Sequence, residues 1–246
     1  LIIIVDFKTF ALINRLLIYF VFGFASLPVW AQHHSPDLRK QYDNLYGFDL
    51  TIFQGKAYQT EINIESGFPF WMQESFFTGS LVVDGVRHDS LLLKYDIYKH
   101  NAILGFKDLN GALNQLIIDP STVDSIFMNG TVFIPSPHPK LKGDFVEFVH
   151  KGTVSCYVYW EKQKQVNTNS NSKGYFFSKQ KSRRCFVYQG ELYFYSSLSK
   201  LCNLFDKQKS AQIKLFAKKN GIKFRRCSNS QLSQLLDFVD QINLDR

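Results

Sequence analysis

Short apolar runs hinged on two-residue turns restrict the fold of this chain more than any other feature. Asp84-Gly85 joins the run at 79–83 to the run at 86–95, and Asn129-Gly130 joins 125–128 to 131–134. Both residues of such a pair tolerate positive φ, which a two-residue hairpin requires. Further strand-like runs stand at 45–53, 95–98, 102–106, 115–118, 145–149, 153–160, 175–177, 185–188 and 192–195, the last pair hinged on Gln189-Gly190. The Pro135-Ser-Pro-His-Pro139 string interrupts them as a loop. The chain holds 24 Phe and 12 Tyr, residues that suit a half-buried pleated surface. Strands at this spacing predict an antiparallel β-sandwich or a partly open barrel.

The text changes after Tyr195. Leu198, Leu201 and Phe205 fall at helical spacing, and 207–220 predicts a second helix with Ile213, Phe216 and Ala217 inward. Asn220-Gly221 supplies its stop, because Gly accepts the left-handed conformation. Ser228 and Gln231 form a capping box before a last helix whose stripe is Leu232, Leu235, Leu236, Val239 and Ile242. The expected fold is α+β: a β body over 45–195 closed by C-terminal helices over 197–244, all within one domain spanning 45–246. The polar segment 161–174 is expected as a long hairpin loop inside that domain, since strand text resumes after it.

The first 31 residues predict a signal peptide. Lys8 and Arg15 precede an uncharged apolar run over 16–27, and Val29 and Ala31 are small residues before a cut at Gln32. The run is short of the roughly 20 residues a membrane helix needs. Residues 32–44 are expected as a flexible segment. The expectation is export to the periplasm or the extracellular space, with no transmembrane helix after cleavage.

Charge is divided between the halves. Residues 32–150 hold 9 Lys and Arg against 14 Asp and Glu, a net of −5; residues 151–246 hold 18 against 6, a net of +12. The basic strings concentrate at Arg183 and Arg184, Lys218 and Lys219, and Arg225 and Arg226. Arg pairs well with carboxylate and phosphate, so these six residues form the candidate surface for an anionic partner. In an exported protein that partner is an envelope protein, a lipid or an acidic glycan; nucleic acid is not expected there.

Four cysteines, Cys156, Cys185, Cys202 and Cys227, lie in the basic half. An oxidising compartment permits two disulfides, with Cys156–Cys185 and Cys202–Cys227 as the expected pairing; buried free thiols are the other reading. No close Cys pair or His-x-His spacing marks a metal site. No catalytic motif and no cofactor motif is present: Gly-x-Ser-x-Gly and phosphate loops are missing from the text. Asp84, Asp89, Asp96, Asp144 and Glu147 sit near hairpins without showing the paired geometry of a glycosidase. The loop Gly67-Phe-Pro-Phe-Trp71 is the most distinctive string. Its Phe68, Phe70 and Trp71 are read either as ligand-contacting aromatics or as a plug at one end of the β body.

The strings Gly67-Phe-Pro-Phe-Trp71, Gly79 through Asp84-Gly85, Leu93-Lys-Tyr-Asp-Ile97 and Ile213 through Phe224 resemble a class of exported Bacteroidetes-type proteins. In that class a β-rich body precedes a Lys-rich helical C-terminus. The resemblance implies an envelope location and carries no particular activity with it. With no catalytic motif in the sequence, the expected function is a non-catalytic envelope binding or accessory protein. A carrier of a lipid or acyl chain in a half-open barrel and a glycan-active enzyme are the alternatives.

Overall fold

A computed structural model describes residues 55–244, apart from 109, 142, 144 and 167–173. The expected signal peptide, the segment at 32–44 and the strand at 45–53 lie outside the described residues. One antiparallel sheet dominates. Its strands are β1 (Gly55–Ala57), β3 (Phe77–Val83), β4 (Val86–Asp96), β5 (Asn101–Lys107), β6 (Leu113–Ile118), β7 (Ser125–Met128), β8 (Thr131–Pro135), β9 (Phe145–His150), β10 (Val154–Glu161), β13 (Lys181–Tyr188) and β14 (Glu191–Tyr193). They run in the order β1-β6-β5-β4-β3-β7-β8-β9-β10-β13-β14. A small second sheet joins β2 (Ile64–Ser66), β12 (Tyr175–Phe177) and β11 (Lys164–Val166). Helices α1 (Leu198–Cys202), α2 (Lys207–Lys219) and α3 (Asn229–Leu244) follow the strands. The fold is α+β, as expected.

The three turn pairs account for the meander. Asp84 and Gly85, Asn129 and Gly130, and Gln189 and Gly190 all have positive φ, between 48° and 78°. That is the I′ arrangement, whose twist matches that of the flanking strands. The polar segment expected as a loop is partly strand: Glu161 ends β10 and Lys164–Val166 form β11, which pairs with β12, while β10 and β13 pair from Val154↔Tyr188 to Glu161↔Lys181. The run at 95–98 is not a separate strand. Residues Tyr95 and Asp96 finish β4, and the chain then turns through Tyr98 and Lys99.

Strand alternation divides the interior. The inner face of β3 to β9 buries Leu81, Leu93, Tyr95, Leu104, Ile126, Phe133 and Phe145 around Trp71. The same face continues over β10 and β13, where Val158, Cys156 and Phe186 are covered by the helices through Leu201, Ile213, Leu232, Leu235 and Val239. Trp160 packs against both clusters. Burial of this apolar area is what holds helices and sheet together.

Local chemistry fixes the helix ends. Asp206 accepts from the Lys209 amide at the start of α2. At α3 the Ser228 hydroxyl accepts from the Gln231 amide while the Gln231 side chain accepts from the Ser228 amide, both at 3.1 Å. That reciprocal pair is the capping box read from the sequence. Asp240 of α3 takes the Thr153 amide at 2.7 Å and lies 2.9 Å from His150 Nε2, tying the helix to the β9–β10 turn.

The aromatic loop is a plug. Phe70 and Trp71 are only 5% and 3% exposed, their rings packed against protein. Trp71 sits edge-on to Phe133 and Trp160, and its amide bonds to the Tyr95 carbonyl. Half-buried Phe68 lies under the Lys162 ammonium, 3.9 Å from the ring centre. That ammonium donates to the carbonyls of Phe68 and Phe70, which fastens the loop.

The four cysteines are free and buried, which corrects the expected pairing. Cys156 stands opposite Phe186 and Cys185 opposite Tyr157, so one thiol faces the helices and the other the reverse face. Two such positions on adjacent strands do not meet the directional requirement of a disulfide. Burial pushes the Cys156, Cys185 and Cys202 thiols up, Cys185 to about 12. Thiol reagents should consequently label the native protein slowly and the urea-unfolded protein at four sites. Intact mass under non-reducing conditions should show no internal disulfide; a loss of about 2 or 4 Da against the reduced chain would refute this.

Candidate functional site

One row of side chains crosses the inner face where its two apolar clusters meet. Register aligns Phe133 of β8, Glu147 of β9, Val158 of β10 and Arg184 of β13. Two charged residues thus sit in an otherwise apolar row. Glu147 is 8% exposed, and its carboxylate accepts from Trp160 Nε1 and from Asn229 Nδ2, both at 2.6 Å. Arg184 donates to the carbonyls of Phe224 and Cys227 and to Asn229 Oδ1. Asn229 opens α3, so this network fixes the chain entering the helix.

Burial raises the Glu147 carboxyl above its ordinary range, against the lowering pull of Trp160, Asn229 and the Arg184 charge. The folded protein holds that proton more tightly than the unfolded chain. The resulting stability is full below the unfolded-chain value of about 4.3 and is lost as pH rises through the folded value. The urea midpoint of wild type should therefore fall relative to Glu147→Gln as pH rises from about 4 toward neutral. Parallel profiles would show that Glu147 titrates alike in both states.

Above this row opens a cleft of about 670 Å³, lined by Val158, Trp160, Ser182, Arg183, Arg184, Phe194, Tyr195, Ser196, Phe224, Arg225, Ser228 and Asn229. Its walls come from three places: the end of the β10–β13 hairpin, the segment leaving β14, and the link between α2 and α3. The volume lies within the roughly 300–1,000 Å³ of small-molecule sites. Arg225 donates through Nε to the Ser196 carbonyl, which joins two of these walls at 2.9 Å.

The six basic residues part company here. Arg183, Arg184 and Arg225 line the cleft; Lys218, Lys219 and Arg226 do not. Lys218 and Lys219 occupy the last turn of α2, where cations complement the helix dipole. Arg183 and Arg184 are adjacent in sequence but face opposite sides of the sheet. Arg184 is committed inward, while exposed Arg183 pairs with Glu161 at 3.0 Å and lies over the Tyr159 and Phe194 rings. β14 covers β13 only from Phe186 to Tyr188, which leaves Arg183 on an open edge. With Phe194 it also borders a smaller recess of about 330 Å³ lined by Lys140, Leu141, Tyr159 and Glu161.

The carboxylates considered from sequence are dispersed. Asp84 serves its turn, and Asp89 is held by Ser80 and Arg87. Asp96 lies in another cluster with Tyr58, and Asp144 falls outside the described residues. The described residues hold no group of three His, Cys, Asp or Glu fit for a metal ion. No helix among them is long and apolar enough to cross a membrane. Comparison with protein families, curated proteins and solved structures finds no match. The sequence reading missed Glu147, Trp160 and Asn229 as one network, because the three are brought together only by strand register and the helix start.

Proposed function

We propose that this chain is an exported, non-catalytic binding protein and that its ligand is an anion held in the cleft between the β10–β13 hairpin and the α2–α3 link. The observation that carries this reading is the meeting of Arg183 and Arg225 with Trp160, Phe194, Tyr195 and Phe224 around one cavity of ligand size. Guanidinium groups recognise carboxylate and phosphate, and aromatic walls supply apolar contact. Export is supported by the N-terminal basic and apolar text ending at Ala31. The envelope setting makes a lipid, an acidic glycan or an acidic envelope protein the relevant anion.

The test is native mass spectrometry of the protein from its host's envelope, followed by titration of the captured species against Trp160 emission. Trp160→Phe supplies the control for Trp71, the other tryptophan after residue 31. An anionic species that changes Trp160 emission saturably, and more weakly at high salt, is the expected result. Binding that leaves Trp160 emission unchanged, or that is indifferent to Arg225→Gln, would reject the cleft as the site.

A further inference from the structure

The polar groups at the base of the cleft consume one another. Trp160 spends its N–H on Glu147, so its contribution to the cavity is ring carbon. Asn229 gives its amide to Glu147 and its carbonyl oxygen to Arg184. Arg184 is further occupied by the Phe224 and Cys227 carbonyls. The base is completed by buried Val158 and Phe224. At the mouth the pattern reverses, because Arg183, Arg225, Ser182, Ser196 and Ser228 are all exposed. The cavity is thus apolar within and cationic at its opening.

Resting on the cleft as the binding site, we propose that its ligand is a single-chain anionic amphiphile of the fatty-acid type. The acyl chain lies between Trp160, Tyr195 and Phe224, and the carboxylate stays at the mouth against Arg225. Two arguments select this class. A small, fully polar anion would leave the apolar base uncovered and would find the deep guanidinium of Arg184 already bonded. A neutral apolar molecule would leave the Arg225 charge at the mouth unanswered, since Glu161 already pairs with Arg183 and Arg225 gives its Nε only to a carbonyl. The volume suits one chain, not a whole two-chain lipid.

Isothermal titration calorimetry of the full chain with monomeric decanoate, with decanol and with acetate tests this. Decanoate is expected to bind one to one and to weaken with salt. Decanol should bind at least about tenfold more weakly for want of the charge-assisted hydrogen bond, and acetate should not bind measurably. Arg225→Gln should weaken decanoate about tenfold while leaving decanol unchanged. Ser182→Trp, an exposed change that narrows the mouth, should abolish decanoate binding without lowering the thermal midpoint. Equal binding of decanol and decanoate, or undiminished binding to Ser182→Trp, would overturn the proposal. If decanoate fails while a short polyanion such as citrate binds and is lost in Arg225→Gln, the amphiphile is refuted and the anion-binding cleft stands. If neither binds, both readings fall.

Discussion

Replacing Asp96 by Ala should destabilise the protein by about 3–5 kcal/mol, since it leaves buried donors without an acceptor. Asp96 is wholly buried, and its carboxylate gathers three donors: the Tyr58 hydroxyl at 2.7 Å and the amides of Tyr98 and Lys99 at 2.9 and 2.8 Å. Desolvation raises its carboxyl above the ordinary range, and those hydrogen bonds oppose the rise. The same residue pairs in register with Asn101 and bridges Phe70, so it pins the β4–β5 turn, the strand leading to Tyr58 and the aromatic plug at one point. Tyr58→Phe removes only one donor and keeps the carboxylate bonded to two amides, and should cost about 1 kcal/mol. Urea denaturation of the two variants checks the contrast, and hydrogen exchange at 68–71 should quicken more in Asp96→Ala. Equal midpoints for the two variants would mean that the backbone amides find other acceptors and that the plug is held by packing alone.

Much of the fold was legible because its turns carry local chemistry. Asp-Gly, Asn-Gly and Gln-Gly announce positive φ whatever surrounds them, and Ser228 with Gln231 announces a helix start through bonds confined to four residues. The aromatic plug was ambiguous for the opposite reason. Whether Phe70 and Trp71 face a core or a ligand depends on Lys162 and Phe133, which lie far along the chain. The basic strings misled in one respect: Arg183-Arg184 reads as a single patch, yet in a strand neighbours point to opposite faces. The expected Cys156–Cys185 bridge failed on the same period of two, because these residues occupy adjacent strands but opposite sides. The carboxylate row was hidden since Glu147 meets Arg184 only through the register of β9, β10 and β13.

That row sets the second expected result. Arg184→Met keeps most of the apolar stem and removes the guanidinium, and should cost about 2–4 kcal/mol by orphaning acceptors and leaving a buried carboxylate less compensated. The Phe224 and Cys227 carbonyls lose their donor, and Asn229 loses one partner while still holding Glu147. Glu147→Gln keeps shape but offers its amide N–H₂ where Trp160 or Asn229 also presents a donor, so it should cost about 1–2 kcal/mol. The double variant should cost less than the two singles together by about 1 kcal/mol, because removing both charges removes the penalty each leaves behind. A double-mutant cycle in urea measures this coupling. The capping box is independent of Arg184, so α3 should retain its helical signal while exchange at 222–227 quickens. Strict additivity would place Arg184 in the loop alone, with the acid of Glu147 stabilised wholly by Trp160 and Asn229.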